Sequence, residues 1–242
     1  MSASLGDFDP KMIRASDYSR RAFLAGAASL GAFALAGCSS VSVGSRRIEV
    51  PDFGNIVPAS LSPEYVSMYA AMPEERYPVP AVNLSRLKPG YARAEVADPT
   101  GERPGTIVVE TSRRYLYLVR ENGRAIRYGI GVGRDGFRWS GRAVVGRKAS
   151  WPVWTPTVAM MEREPETRRF AGGMPPGLDN PLGARALYIY QDGRDTLYRL
   201  HGTPEIWSIG EAVSSGCVRL INQDVIDLYR RCPVGTPIVV RT

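Results

Sequence analysis

The sequence predicts a mostly β, sandwich-like domain over residues 104–242. Runs rich in β-branched and aromatic residues begin at Thr106 and recur to the C-terminus. Two of the gaps between them hold Asn122-Gly123 and Asp192-Gly193, pairs suited to hairpin turns that need positive φ. Strands do not alternate with helices, so a parallel nucleotide-binding sheet is not expected.

Residues 106–110 (TIVVE) and 114–120 (RYLYLVR) are the first strands, and Asn122-Gly123 turns the second into 124–132. Residues 143–149 form another strand. Residues 186–191 and 196–201 flank the second turn, 192–195. One helix follows over 222–232, with Asn222 as its N-cap, Asp224 in its first turn and Arg230 and Arg231 in its last. Val225, Leu228, Tyr229 and Cys232 share a face at helical spacing. Pro233 and Gly235 end the helix, and 237–240 closes the domain as a strand. Between Gly133 and Gly183 lies a long stretch with little period, holding Trp139, Trp151 and Trp154. It reads equally as a substrate-covering lid or a packed loop. Upstream, Ser62 caps a short helix running to Met72, with Pro63 in its first turn. Residues 73–105 carry Pro73, Pro78, Pro80, Pro89, Pro99 and Pro104, and read as an ordered arm too small for its own core. Residues 39–60 read as a tether.

The chain has 242 residues and a net charge of +7. That balance suits anionic partners, but no basic stripe with interleaved aromatics marks a nucleic-acid binder. Three Cys cannot make a disulfide scaffold, and a single His excludes a His-rich metal site. No cofactor is expected. Near the N-terminus, Arg20-Arg21 precede an apolar stretch over 25–37, too short to span a bilayer. The arrangement resembles a twin-arginine export signal. Leu35-Ala36-Gly37-Cys38 resembles the lipobox of bacterial lipoproteins, in which the Cys carries the lipid anchor. The alternative is an ordinary signal that releases a soluble protein. Either way the expected location is periplasmic or cell-envelope, and the lipobox reading adds membrane attachment through Cys38. Domain bounds follow as 1–38 signal, 39–103 tether and arm, and 104–242 catalytic domain.

Two segments carry chemistry. His201-Gly202-Thr203 ends a strand, and Ser214-Ser215-Gly216-Cys217-Val218-Arg219-Leu220 follows. An imidazole beside a thiol can take its proton and make a nucleophile. Gly216 gives the backbone room to turn N–H groups toward a developing oxyanion. An inert buried thiol and a strand-end histidine satisfied by backbone are the plain alternatives.

The HGT…SSGCVRL arrangement, with strands before it and a helix after it, resembles the L,D-transpeptidase catalytic domain, the YkuD family. The resemblance covers residues 104–242 and implies a YkuD-like β-sandwich with one helix after the catalytic Cys and a long active-site loop. It implies that Cys217 is the nucleophile and His201 the base and later acid. It places the N–H groups of Gly216 and Cys217 in the oxyanion hole. Ser214 matches the family's Ser/Thr, Arg219 matches an Arg suited to a substrate carboxylate, and Gly202 and Thr203 shape the His201 turn. Ser215 departs from the pattern, because many members have His there. The implied reaction is acyl transfer on peptidoglycan stem peptides. Cys217 attacks at the third residue, terminal D-Ala leaves, and an acceptor amine forms a 3→3 cross-link. Water as acceptor would give an L,D-carboxypeptidase, and a protein lysine would give wall attachment. A non-catalytic wall-binding lipoprotein of the same fold is a further alternative. Carbapenem acylation of Cys217 is also implied. Cys232 is expected to be a core thiol, with a Cys217–Cys232 disulfide the alternative.

Overall fold

The structure is a computed structural model, and it describes residues 62–133, 139–214 and 217–242. The expected export signal, Cys38, the tether, Ser215 and Gly216 lie outside the described residues.

The chain enters through helix α1 (Pro63–Met68), where Ser62 Oγ accepts from Tyr65 N. The helix is shorter than the spacing suggests. It ends at Tyr69, and Met72 pairs as an extended residue with Val79. Strand β1 (Ala94–Ala97) leads to β2 (Ile107–Glu110) and β3 (Tyr115–Arg120), which turns at Asn122-Gly123 into β4 (Arg124–Gly129). Both turn residues have positive φ, +59° and +64°, as a type I′ hairpin requires. After the two-residue β5 (Val132–Gly133) comes the long β6 (Gly141–Ser150), and then an insert with helix α2 (Val158–Arg163). Strands β7 (Arg185–Gln191) and β8 (Arg194–Thr203) follow, joined by Asp192-Gly193 at φ +50° and +76°. Strands β9 (Ala212–Ser214) and β10 (Val218–Ile221) precede helix α3 (Asn222–Arg231), and β11 (Pro237–Arg241) closes the chain.

Nine strands form one mixed sheet in the order β1-β4-β3-β2-β11-β6-β7-β8-β10. Most pairs are antiparallel, but β2/β11 and β8/β10 are parallel. The sheet bends back on itself. Gly131, just past β4, exchanges backbone hydrogen bonds with Arg219 of β10 at 3.0 and 2.9 Å. One core therefore collects inward residues from β2, β3, β4, β6, β7, β8, β10 and β11, among them Ile107, Leu116, Tyr128, Val145, Leu187, Leu200, Val218 and Ile238. Val225, Leu228 and Cys232 of the helix face join it, as their spacing predicts. Cys232 is a buried thiol, and no disulfide joins it to Cys217.

Two expectations change here. Asn222 opens α3 but does not cap it. Its Oδ1 accepts from Ala184 N at 2.9 Å, and Ile221 occupies the cap position without a side-chain bond. The stretch from Gly133 to Gly183 is not one loop, since β6 and α2 lie in it. The insert beyond β6 is packed. Trp151 is buried, Trp154 and Met174 exchange backbone hydrogen bonds, and Asn180 Nδ2 donates to the carbonyls of Pro152, Met174 and Pro175.

The arm also has a fixed place. Tyr69 and Leu87 pack with Ile209 and Ile221, while Val79 packs with Trp151, Ala184 and Ile226. Glu75 receives Arg185 at 2.6 Å and Trp151 Nε1 at 3.0 Å, both inside this contact. Strand β1 pairs with β4 and extends the sheet.

Candidate active site

His201 and Cys217 come from neighbouring strands. In the parallel pairing of β8 with β10, Val218 lies across from Leu200 and Arg219 across from His201. Cys217 is the residue just before β10. By side-chain alternation Cys217, Arg219 and His201 share one face, opposite the core residues Leu200 and Val218.

His201 is 5% exposed. Its Nδ1 lies 2.7 Å from the Gly202 carbonyl. A carbonyl can only accept, so Nδ1 carries the proton and Nε2 is left as the basic nitrogen of the neutral ring. Burial lowers the imidazole pKa to about 4, against the raising effect of the Gly202 and Pro181 carbonyls and with the guanidiniums of Arg219 and Arg199 adding to the fall. Sequence left the partner that orients His201 open, and it is a backbone carbonyl.

Gly202 is forced to be glycine. A Cβ there would stand 2.3 Å from Asn222 Oδ1 and 3.1 Å from Val225 Cγ1. Thr203 is buried, and its Oγ1 accepts from Glu205 N, which turns the chain out of β8.

The Cys217 thiol donates toward the Leu197 carbonyl at 4.0 Å. Burial pushes its pKa above the ordinary thiol value, while the Arg199 backbone N–H and guanidinium pull it down. Thiol and imidazole are therefore both neutral at rest. The segment of β8 beside the thiol is bulged. Tyr188 pairs with Arg199 and Tyr190 with Asp195, so three residues of β8 face one of β7. Leu197 has φ +65°, a strained value for a branched aliphatic residue. Asp195 holds the bulge, with Oδ1 accepting from Leu197 N at 2.8 Å and both oxygens pairing with Arg199 at 2.7 and 2.9 Å. Thr196 Oγ1 ties it to Ile189 O at 2.7 Å.

Arg219 forms an ion pair with Glu205, itself substantially exposed. A substrate carboxylate at Arg219 would displace Glu205. Ser214 ends β9, which pairs with β5. Among the described residues, no group of three His, Cys, Asp or Glu side chains is placed to hold a metal ion.

Sequence reasoning singled out His201, Gly202, Thr203, Cys217 and Arg219, and β8 and β10 bring these together. It missed Asp195, Leu197 and Arg199, which surround the thiol. A positive φ at leucine leaves no compositional mark, so no sequence signal could have found the bulge.

The family model of the YkuD L,D-transpeptidase catalytic domain matches residues 104–240, more than half of the chain. The chain belongs to this family. Two curated relatives of the L,D-transpeptidase family come from Escherichia coli K12. "Probable L,D-transpeptidase YbiS" is 37% identical over 143 residues, covering 57% of this chain and 44% of the relative. "Probable L,D-transpeptidase ErfK/SrfK" is 36% identical over 152 residues, covering 59% and 45%. The chain thus spans less than half the length of these relatives. A crystal structure described as a probable carnitine operon oxidoreductase from Brucella melitensis is 46% identical, covering 66% of this chain and 99% of its own, with a TM-score of 0.45. That description belongs to that protein.

Proposed function

We propose that this chain is a peptidoglycan L,D-transpeptidase that forms 3→3 cross-links, with Cys217 as nucleophile and His201 as general base. The observation that carries the reading is the parallel pairing of β8 with β10. It sets the chain's single imidazole and the motif thiol on adjacent strands, with the imidazole fixed by Gly202 O so that Nε2 is the free base.

Because both groups rest neutral, the thiol proton moves to His201 Nε2 as sulfur attacks the carbonyl carbon of the third stem residue. Cys217 N–H and Gly216 N–H stabilise the oxyanion. The C–N bond to terminal D-Ala breaks, and His201 returns its proton to the leaving amine. A thioester remains on Cys217. The acceptor amine attacks it, gives its proton to His201, and the C–S bond breaks to restore the thiol. Arg219, released from Glu205, takes a substrate carboxylate by paired N–H donors.

The reading includes export. Arg20-Arg21, the apolar stretch 25–37 and the sequence ending at Cys38 support a twin-arginine signal followed by lipid attachment at Cys38, which would hold the enzyme beside its wall substrate.

Incubation with a carbapenem followed by mass spectrometry tests the site. The expected result is one covalent adduct on Cys217, absent from Cys217→Ala, and formed about 10²–10⁴-fold more slowly by His201→Ala. An equal adduct on Cys217→Ala would overturn the assignment. Incubation with purified tetrapeptide stems should yield a cross-linked dimer and free D-Ala. A tripeptide product without dimer would make the enzyme a carboxypeptidase instead.

A further inference from the structure

We propose that Asn222 is a positioning residue for His201, held in a notch between Gly183 and Gly202 where its amide oxygen bonds Ala184 N, just before β7, and packs against Gly202 of the base's strand. The proposal rests on the transferase reading of the site given above.

Asn222 is the first residue after β10, and Cys217 is the last residue before it, so the two flank the same strand. Its Oδ1 accepts from Ala184 N at 2.9 Å. The same oxygen would lie 2.3 Å from a Cβ built on either Gly183 or Gly202, so both positions must lack one for the amide to enter. Gly183 also has φ +59°. Packing against Gly202 fixes the peptide whose carbonyl receives His201 Nδ1. The other side of the notch is equally rigid. Ala184 O accepts from Trp151 N at 2.8 Å and from Arg185 Nη1 at 2.8 Å, and Arg185 is ion-paired to Glu75 of the arm.

A helix-capping role would leave the side chain on its own helix. Here it leaves the helix, accepts from Ala184 N just before β7, and packs against Gly202 of β8, the residue after the base. Losing the amide would strand Ala184 N–H in a buried site and leave a void beside Gly202. The Gly202 carbonyl could then tilt, and Nε2 would swing off line from the thiol. Misplacement of a reacting group by about 1 Å can cost about 10²-fold in rate.

The chain has one histidine, so NMR gives a single imidazole titration without any substrate. The experiment compares wild type, Asn222→Ala and Asn222→Asp in the full chain, each checked for folding by circular dichroism. Two quantities are read, the His201 titration and the rate of carbapenem acylation. Asn222→Ala should acylate about 10²-fold more slowly, with the imidazole midpoint moving up from about 4 toward the ordinary 6.5 as water reaches the ring. Asn222→Asp, which keeps an acceptor for Ala184 N–H, should recover most of the rate and also raise the midpoint through its added charge. A folded Asn222→Ala with unmoved titration and wild-type rate overturns the proposal. If Asn222→Ala does not fold, Asn222→Ser is read by the same two quantities, and an unmoved titration with wild-type rate there overturns it. A wild-type protein that takes no acyl group overturns the transferase reading instead, and the titration still decides the role of Asn222.

Discussion

Burial moves the two proposed reacting groups, His201 and Cys217, apart in pKa, and on that proposal it fixes how acylation should depend on pH. The imidazole goes down to about 4 because a charged ring would be desolvated beside two guanidiniums. The thiol goes up for the same desolvation. The acid limb of kcat/KM for carbapenem acylation reports the free enzyme's base. It should fall away near pH 4, where His201 protonates, and be flat through 6.5, where an exposed imidazole would titrate. A limb centred at 6.5 would mean that the base is solvated or is another group. A preformed thiolate–imidazolium pair would instead give the reverse order of pKa values. His201 and Cys217 were legible because their residue types are rare in this chain and their chemistry needs a partner. Leu197 was not legible. Its conformation opposes its own preference and exists only because Asp195 and Thr196 bind the bulge from both sides.

The elements that read well are those whose local chemistry has one answer. Asn122-Gly123 and Asp192-Gly193 supply positive φ twice in a row, and each hairpin forms where they stand. The α3 face was legible because four apolar residues recur at helical spacing, and three of them enter the main core while Tyr229 packs at its edge. The arm was harder. Its prolines mark it as broken by turns, but they show neither that β1 joins the sheet nor what the rest of the arm covers. The strongest of those contacts is testable. Burial pushes the Glu75 carboxyl up, yet hydrogen bonds from Arg185 and Trp151 hold it below its ordinary value. Both members of the Glu75–Arg185 pair are about one-tenth exposed or less. Glu75→Ala leaves the Arg185 charge without its carboxylate in that contact, so a loss of about 3–5 kcal/mol is expected from urea unfolding. The change should also loosen Ala184, which Arg185 Nη1 holds at its carbonyl. A loss under about 1 kcal/mol, the range of exposed pairs, would show that the arm is not clamped at this point.

At the scale of the whole molecule, two buried groups oppose each other as the pH changes. Asp224 is fully buried, and Tyr69 Oη donates to it at 3.0 Å. Desolvation raises its pKa from 3.8 to about 7 despite Arg93 at 3.8 Å. The folded state therefore binds a proton at Asp224 that the unfolded chain has released, so this group's stability is complete below 3.8 and is lost as pH rises through 7. His201 has the opposite sign. Its folded value of about 4 lies under the ordinary 6.5, so the unfolded chain binds the extra proton, and stability is lost as pH falls from 6.5 through 4. The lowered carboxylates Glu75, Glu102, Glu211 and Asp227 act only below about 4.5. Between 4.5 and 6.5 the Asp224 and His201 slopes, each about 1.4 kcal/mol per pH unit in magnitude, cancel. Urea unfolding should accordingly give a flat stability across that window in the wild type. In Asp224→Asn the histidine acts alone, and stability should rise with pH. In His201→Gln the aspartate acts alone, and stability should fall. The two variants must diverge in opposite directions from a flat parent. If both slope the same way, one of the two groups is not titrating as its burial demands.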